Sequence, residues 1–269
     1  MGTDHSGSED KTGDEYEGSM ADFLLLIVVD EENESYGMLQ IDRDTMTEVP
    51  LMNPDGTSYA TSQMQLCTAH YFGGDKKQSC KNTVKTVSKL FGGIEIDGYY
   101  AISMDQIPEI NHAVGGVKVE IKDDFSKVDK TMKKGKTILL NDEQAGYYVQ
   151  GRMDVGDGEN SSRMARQREY LSALMDVINK KSKKDNRFLK KILNQLKRYA
   201  TTNISIGAIY NQYKKASGYD SIGILLPEGK KKTGQALDDG IEHTEFYMDK
   251  NSKYDIINKL YRLETIKQK

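Results

Sequence analysis

Hydrophobic positions in this chain come in three arrangements, and each predicts a different element. Phe23-Leu-Leu-Leu-Ile-Val-Val29 is an unbroken apolar run, the pattern of a strand covered on both faces. After the polar Asp30-Glu-Glu-Asn-Glu-Ser35, Gly37-Met-Leu-Gln-Ile41 predicts a second strand, its hairpin partner. Cys80, Val84, Val87 and Phe91 stand at i, i+4, i+7 and i+11, one face of a helix that Gly92-Gly93 stops. Residues 99–103 read as a strand, Asp105 predicts the cap of a helix running to about Val114, and Val117, Val119 and Ile121 alternate as another strand. Asn141 with Gln144 has the form of a capping box. Two long amphipathic helices are predicted next, over about 162–181 and 187–199. The second has Phe188, Leu189, Ile192, Leu193, Leu196 and Tyr199 as its buried stripe. Residues 222–226 and 244–248 are strand-like, and Ser252 opens a last helix with Tyr254, Ile257 and Tyr261 inward. Strands interleaved with helices imply an α/β fold, a sheet covered by helices on both faces.

Composition narrows what such a fold can do. With 269 residues, 37 % apolar and 29 % charged, the chain buries a substantial core and is not disordered as a whole. A net charge of −3 argues against a dedicated nucleic-acid binder, whose domain is strongly basic. The longest apolar run, residues 23–29, falls far short of the roughly 20 residues of a membrane-spanning helix. No apolar stretch near Met1 has the form of a signal peptide. Residues 1–20, with four Gly and six Asp or Glu, are expected to form a flexible acidic loop. No repeat or linker divides the remainder, so residues 21–269 are expected to form one domain.

The arginines stand where helix electrostatics disfavours them. In Asn160-Ser-Ser-Arg-Met-Ala-Arg-Gln-Arg168, Asn160, Ser161 or Ser162 is the expected cap, which puts Arg163, Arg166 and Arg168 in the first turns. That end of a helix carries roughly half a positive elementary charge, and each cation there costs about 0.3–1 kcal/mol. Arg163, Arg166 and Gln167 share a face beside Leu171, Leu174, Met175 and Ile178, at the rim of the core. Two readings account for this: an anion, especially a phosphate, docks on the guanidinium groups, or Asp154, Asp157 and Glu159 of the preceding loop neutralise them. Arg43 and Asp44 follow the strand ending at Ile41, and α/β proteins carry ligand groups at strand ends. The plainer reading is a turn with a surface ion pair. Asp22 is either a polar strand start or a metal ligand. Phosphate-loop and dinucleotide fingerprints are absent, and Asp154-Val-Gly-Asp-Gly-Glu159 lacks the spacing of a calcium loop. The four histidines lack metal-ligand spacing, and no serine sits in a nucleophile elbow. The lysine runs at 180–184 and 230–232 read as solvated faces.

Seven short segments follow one another between residues 2 and 167: Gly2-Thr3-Asp4, Ala21-Asp22-Phe23-Leu-Leu-Leu26, Ile41-Asp-Arg-Asp-Thr-Met46, Thr68-Ala-His-Tyr-Phe-Gly-Gly74, Ala113-Val-Gly-Gly-Val117, Tyr147-Tyr-Val-Gln-Gly-Arg152 and Ser162-Arg-Met-Ala-Arg-Gln167. In these segments the chain resembles the LytR–CpsA–Psr family of bacterial cell-envelope proteins. The first is similar to the short Gly-x-Asp ending the family's first strand, and the third to its Ile-Pro-Arg-Asp-Thr signature. The last two are similar to its Tyr-Val-Arg-x-Arg and Arg-x-x-Arg-Gln motifs.

The resemblance implies a three-layer α/β/α sandwich with a central mixed sheet and an apolar tunnel for a polyprenyl chain. It implies Mg²⁺-aided transfer of a phosphoglycan, teichoic acid-like or capsular, from a polyprenyl-pyrophosphate carrier lipid to peptidoglycan. The place implied is the extracellular face of the bacterial cytoplasmic membrane, with a membrane anchor outside this fragment. Arg43, Arg152, Arg163 and Arg166 would clamp the pyrophosphate with Gln167 in support, and Asp4 and Asp22 would hold Mg²⁺. Asp44, or one of the metal-binding aspartates, would take the proton of the attacking hydroxyl. That makes Asp22, Arg43 and Asp44 the catalytic candidates. Two positions depart from the pattern: Met20 stands where the family has Arg, and Gln150 replaces the first Arg of Tyr-Val-Arg-x-Arg. These departures keep open the reading of a non-catalytic lipid- or glycan-binding regulator; a pyrophosphate hydrolase, with water as acceptor, is a third reading. An extracellular place permits a disulfide, so Cys67 and Cys80 are either bridged or two reduced core residues.

Overall fold

A computed structural model describes residues 1–4, 16–53, 55–237 and 239–261. Residues 5–15, most of the expected acidic loop of 1–20, lie outside the described residues. The chain divides into two compact units, Met1–Ala101 with Thr201–Lys269, and Ile102–Ala200. The first contains β1 (Gly2–Thr3), β2 (Ala21–Asp30), β3 (Ser35–Ile41), β4 (Met46–Met52), β5 (Ser58–Gln65) and α1 (Lys76–Leu90), and the chain leaves it within β6 (Tyr100–Ser103). The second contains α2 (Ile107–Val114), β7 (Lys118–Glu120), β8 (Thr137–Leu139), α3 (Asp142–Gln150), α4 (Asn160–Lys184) and α5 (Phe188–Leu196). The chain returns within β9 (Ala200–Thr202) and completes the first unit with α6 (Ile206–Ala216), β10 (Asp220–Leu225), β11 (Gly229–Gly234), β12 (His243–Met248) and α7 (Lys250–Tyr261). Both divisions fall inside strands, so no change of composition marks them where the sequence suggested one domain.

The main sheet has the order β10-β3-β2-β1-β6-β9. It is mixed: β2 pairs antiparallel with β3 and β1, while β10 runs parallel to β3. The α/β class with a mixed central sheet and flanking helices is as the sequence implied. The predicted hairpin is present, with Leu24 opposite Ile41 and Asp30 opposite Ser35. Its turn is held by Asp30, whose Oδ1 accepts from the Glu32 and Asn33 amides at 3.1 and 2.9 Å. Leu24, Val28, Leu39 and Ile41 share one core with Val87 of α1, Phe91 just beyond it, and Ile256 and Leu260 of α7. Asp75 caps α1 by accepting from the Gln78 amide at 2.8 Å. Beyond α1, Gly92 and Gly93 take φ of 85° and 86°, a left-handed ending that side chains with a Cβ resist.

Several expectations are corrected. The 23–29 run is not covered on both faces, since Ile27 is 59 % exposed. The last helix buries Ile256 and Leu260, and Tyr254 is 54 % exposed. Its cap is Asp249, whose Oδ1 accepts from the Asn251 amide at 2.8 Å, while Ser252 Oγ accepts from the Glu228 amide. Asp105 lies within a 3-10 turn, Met104–Gln106, capped by Ser103, and α2 begins after it with Pro108 in its first turn. The β4–β5 hairpin went unpredicted because Ser58-Tyr-Ala-Thr-Ser-Gln-Met-Gln65 is polar and mostly exposed. In the second unit the capping box is present: Asn141 Oδ1 accepts from the Gln144 amide at 2.8 Å, and Gln144 Oε1 from the Asn141 amide at 3.1 Å. α5 buries Leu189, Ile192 and Leu196 and ends in a 3-10 turn over Lys197–Tyr199.

Candidate functional site

In the first unit the chain after β3 makes a tight turn built by Asp42. Asp42 Oδ1 accepts from the Asp44 amide at 3.0 Å, and its carbonyl from Thr45 Oγ1 at 2.6 Å. This Asx geometry lets a side chain do the work of a backbone turn. The next three carbonyls are then fixed from outside: Arg43 O by the Cys67 amide at 3.0 Å, Asp44 O by the Phe246 amide at 2.8 Å, and Thr45 O by the Leu66 amide at 2.8 Å. Asp44 is buried and Arg43 nearly so.

That turn brings three predicted residues together. Arg43 Nη1 pairs with Asp22 Oδ1, and Arg43 Nε lies 3.5 Å from Asp44 Oδ1. Nη2 faces sulfur, at 3.1 Å from Met20 Sδ and 3.2 Å from Cys67 Sγ. Burial by itself lowers the guanidinium, but Cys67, Asp44 and Asp4 outweigh it and hold Arg43 above its ordinary value. Asp4 is placed by its backbone, the amide donating to Met20 O at 2.9 Å alongside the β1–β2 pairing. Met20, the departure noted above, is thus a neighbour of Arg43. Cys67 and Cys80 are both free and buried, which settles the alternative in favour of reduced core cysteines. Burial pushes the Cys67 thiol up to about 11 and the Cys80 thiol to about 12, so both are neutral thiols near pH 7.

The second unit holds the other predicted residues and supplies an answer to their placement. Arg166, 3 % exposed, donates from Nε to Tyr148 O at 3.0 Å and from Nη2 to Gly151 O. Gln167 Nε2 donates to Val149 O at 3.4 Å. These carbonyls are the orphaned acceptors at the C-terminal end of α3, the negative pole of that helix. Arg166 Nη1 pairs with Asp123 Oδ2, and the guanidinium lies 5.6 Å from the centre of Phe125, which stacks on Tyr148. The cost of a cation at the start of α4 is therefore offset by the end of α3 and by a carboxylate 43 residues upstream.

Asn160 does not cap α4: Glu159 is the cap residue and makes no side-chain cap bond. Asn160 Oδ1 instead accepts from Arg163 Nε and Nη2 at 3.2 and 2.7 Å. Arg163, 5 % exposed, is buried rather than at the rim of the core. Arg152 Nε donates to Gly158 O at 3.3 Å. Of the loop carboxylates offered as neutralisers, Asp157 accepts from Ser162 Oγ at 2.8 Å and from the Glu159 amide at 2.9 Å. Gln150 turns its amide to Met104 O at 2.9 Å. Two residues were not singled out from the sequence, Asp123 and Gln65. Gln65 ends β5 and donates from Nε2 to Asp44 Oδ1 at 3.1 Å. Neither lies in a motif, and only the fold brings them to their partners.

Among the described residues no group of three or more His, Cys, Asp or Glu forms a metal site, and no helix is long and apolar enough to cross a membrane. The chain is 31 % identical over 155 residues to the polyisoprenyl-teichoic acid–peptidoglycan teichoic acid transferase TagU of Halalkalibacterium halodurans, covering 58 % of this chain and 46 % of the relative. It is 28 % identical over 250 residues to Biofilm regulatory protein A of Streptococcus mutans, covering 89 % and 57 %. The chain thus spans about half the length of the curated relatives it matches. The crystal structure of Bacillus subtilis TagV superposes with a TM-score of 0.71 at 21 % identity, covering 98 % of this chain and 95 % of that one. Protein gbs0355 of Streptococcus agalactiae superposes with a TM-score of 0.75 at 22 % identity, covering 100 % and 88 %; at such identities the likeness shows the fold. The LytR_cpsA_psr family model matches residues 1–259, which takes in both units and every arginine and aspartate described above, and the chain belongs to that family.

Proposed function

We propose that this chain transfers a phosphoglycan from a polyprenyl-pyrophosphate carrier lipid to peptidoglycan, with Mg²⁺, at the extracellular face of the bacterial cytoplasmic membrane. The observation that carries the reading is the Arg43 turn, where Asp22, Asp44 and Asp4 act on one guanidinium. Guanidinium forks match phosphate oxygens, and carboxylate oxygens are the donors Mg²⁺ takes alongside substrate phosphates. Asp4 and Asp22 fit that donor chemistry and are the residues assigned to the metal. Bound there, Mg²⁺ would neutralise phosphate charge as it builds.

The chain's own residues bind, orient and move a proton. The oxygen of the acceptor hydroxyl bonds to the glycan-bearing phosphorus. The bond from that phosphorus to the bridging oxygen breaks, and its electron pair leaves with the lipid phosphate. The hydroxyl proton passes to Asp22 or Asp44. Arg43 neutralises phosphate oxygens, and the motifs that Arg152, Arg163, Arg166 and Gln167 occupy assign them to pyrophosphate binding. For the polyprenyl chain we assign an apolar tunnel, to which the first unit offers the β2 face of Phe23, Leu25 and half-exposed Ile27.

A second reading, a regulator that binds carrier lipid or glycan without turnover, is favoured by the likeness to Biofilm regulatory protein A. It also draws on Met20 and Gln150, which replace two arginines of the family pattern. Incubation with a polyprenyl-pyrophosphate glycan, Mg²⁺ and peptidoglycan decides between them. Transfer predicts release of polyprenyl phosphate with a glycan–peptidoglycan conjugate, and loss of both in Arg163→Ala. Binding without release would identify the regulator. Release without conjugate would identify water as the acceptor.

A further inference from the structure

We propose that Gln65 is a positioning residue that fixes the Asp44 carboxylate, and through it Arg43; the role rests on the function proposed above. Gln65 is buried, and both hydrogens of its amide nitrogen are committed: Nε2 donates to Asp44 Oδ1 at 3.1 Å and to Thr244 O at 2.7 Å. Both partners only accept. A side chain there must supply two donors from one atom, which an amide NH₂ does and a carboxylate or hydroxyl does not. The same requirement fixes the orientation of the amide, since the flipped form would set Oε1 against two acceptors.

The Thr244 bond ties this amide to β12, and two residues on, the Phe246 amide donates to Asp44 O at 2.8 Å. β12 therefore grips Asp44 twice, at the main chain directly and at the carboxylate through Gln65. The Asp44 Oδ1 that Gln65 holds is the oxygen 3.5 Å from Arg43 Nε. Among the described residues Arg43 Nε has no hydrogen-bond partner, so this charge contact is what orients that side of the guanidinium. A shift of the carboxylate is a shift of Arg43, and misplacement of about 1 Å costs a reaction up to ~100-fold.

The test is a double-mutant cycle on turnover with Asp44→Asn and Gln65→Met, which keeps the bulk and removes both donors. Each single change is expected to lower kcat by about 10- to 100-fold. The double variant should be no slower than Asp44→Asn alone, because Gln65 acts through Asp44. Additive losses, or a wild-type kcat in Gln65→Met, would overturn the role. If Gln65→Met does not fold, Gln65→His, which keeps one N–H donor, takes its place. Turnover retained above that of Asp44→Asn then supports the role, and turnover no better overturns it. Should the wild type itself release no polyprenyl phosphate, the proposed function fails. Gln65 is then judged by the crystal structure of the variant: an Asp44 carboxylate swung away from its wild-type position supports the role, and one left in place overturns it.

Discussion

Arg43, nearly buried, and Arg166, buried, are both arginines of family motifs, yet they are held by opposite means. Arg166 spends its guanidinium on two backbone carbonyls at the end of α3 and on Asp123. Among the described residues Arg43 is held by side chains, carboxylates on one side and the sulfurs of Met20 and Cys67 on the other. Thioether and thiol sulfurs are weak acceptors, so a phosphate oxygen replaces them at little cost, whereas displacing Arg166 strips a helix of its terminal partners. The difference separates an arginine available to a ligand from one whose first duty is the fold.

The largest expected effect falls on Arg43. Arg43→Gln should lower turnover by about 10²–10³-fold, the scale of losing one charge-stabilising donor, and should also lower the urea midpoint, because Asp22 and buried Asp44 lose their guanidinium. Unchanged turnover in that variant would erase the contrast with Arg166. Next, Arg166→Met leaves Tyr148 O, Gly151 O and Asp123 without their partner. Because that carboxylate is a quarter exposed, the cost should be near the lower end of a broken buried pair, about 3 kcal/mol of stability by urea unfolding.

Acid should loosen the first unit selectively. His70 ends the turn that carries Cys67, and its Nδ1 donates to Ser19 O at 2.9 Å. Burial holds its imidazole down to about 4 against an ordinary 6.5. Between those values the unfolded chain binds a proton that the folded unit does not, so stability falls as pH drops from about 6.5 to 4 and levels off below. The total is on the order of 3 kcal/mol, and His70→Asn should flatten the slope of urea midpoint against pH over that window. The smallest effect belongs to the second unit: Asn141→Ala removes one arm of the α3 capping box and should cost about 1 kcal/mol in thermal unfolding with no change of that pH slope.

What was legible in the sequence was local. The β2–β3 hairpin, the α1 face at Cys80, Val84, Val87 and Phe91, and the Asn141–Gln144 box each depend on residues within a few positions of one another. The misses have the same logic in reverse. Asn160 has the residue type of a cap, but a buried guanidinium three residues on claims its oxygen. On α7, Ile257 and Tyr261 pack against the core beside the buried Ile256 and Leu260, and only Tyr254, apolar enough to fit the stripe, faces outward. β5 carries no hydrophobic alternation to read.

The sequence by itself determined the α/β class, the family motifs and which arginines and aspartates carry them, because periodicity and motif spacing are properties of a few neighbouring residues. Tertiary structure alone decided what each charge faces. Asp123 reaches Arg166 across 43 positions, and Gln65 reaches Thr244 across 179. A buried charge or amide is stable only beside a partner of matching chemistry, and such partners are chosen by packing in three dimensions rather than by order along the chain.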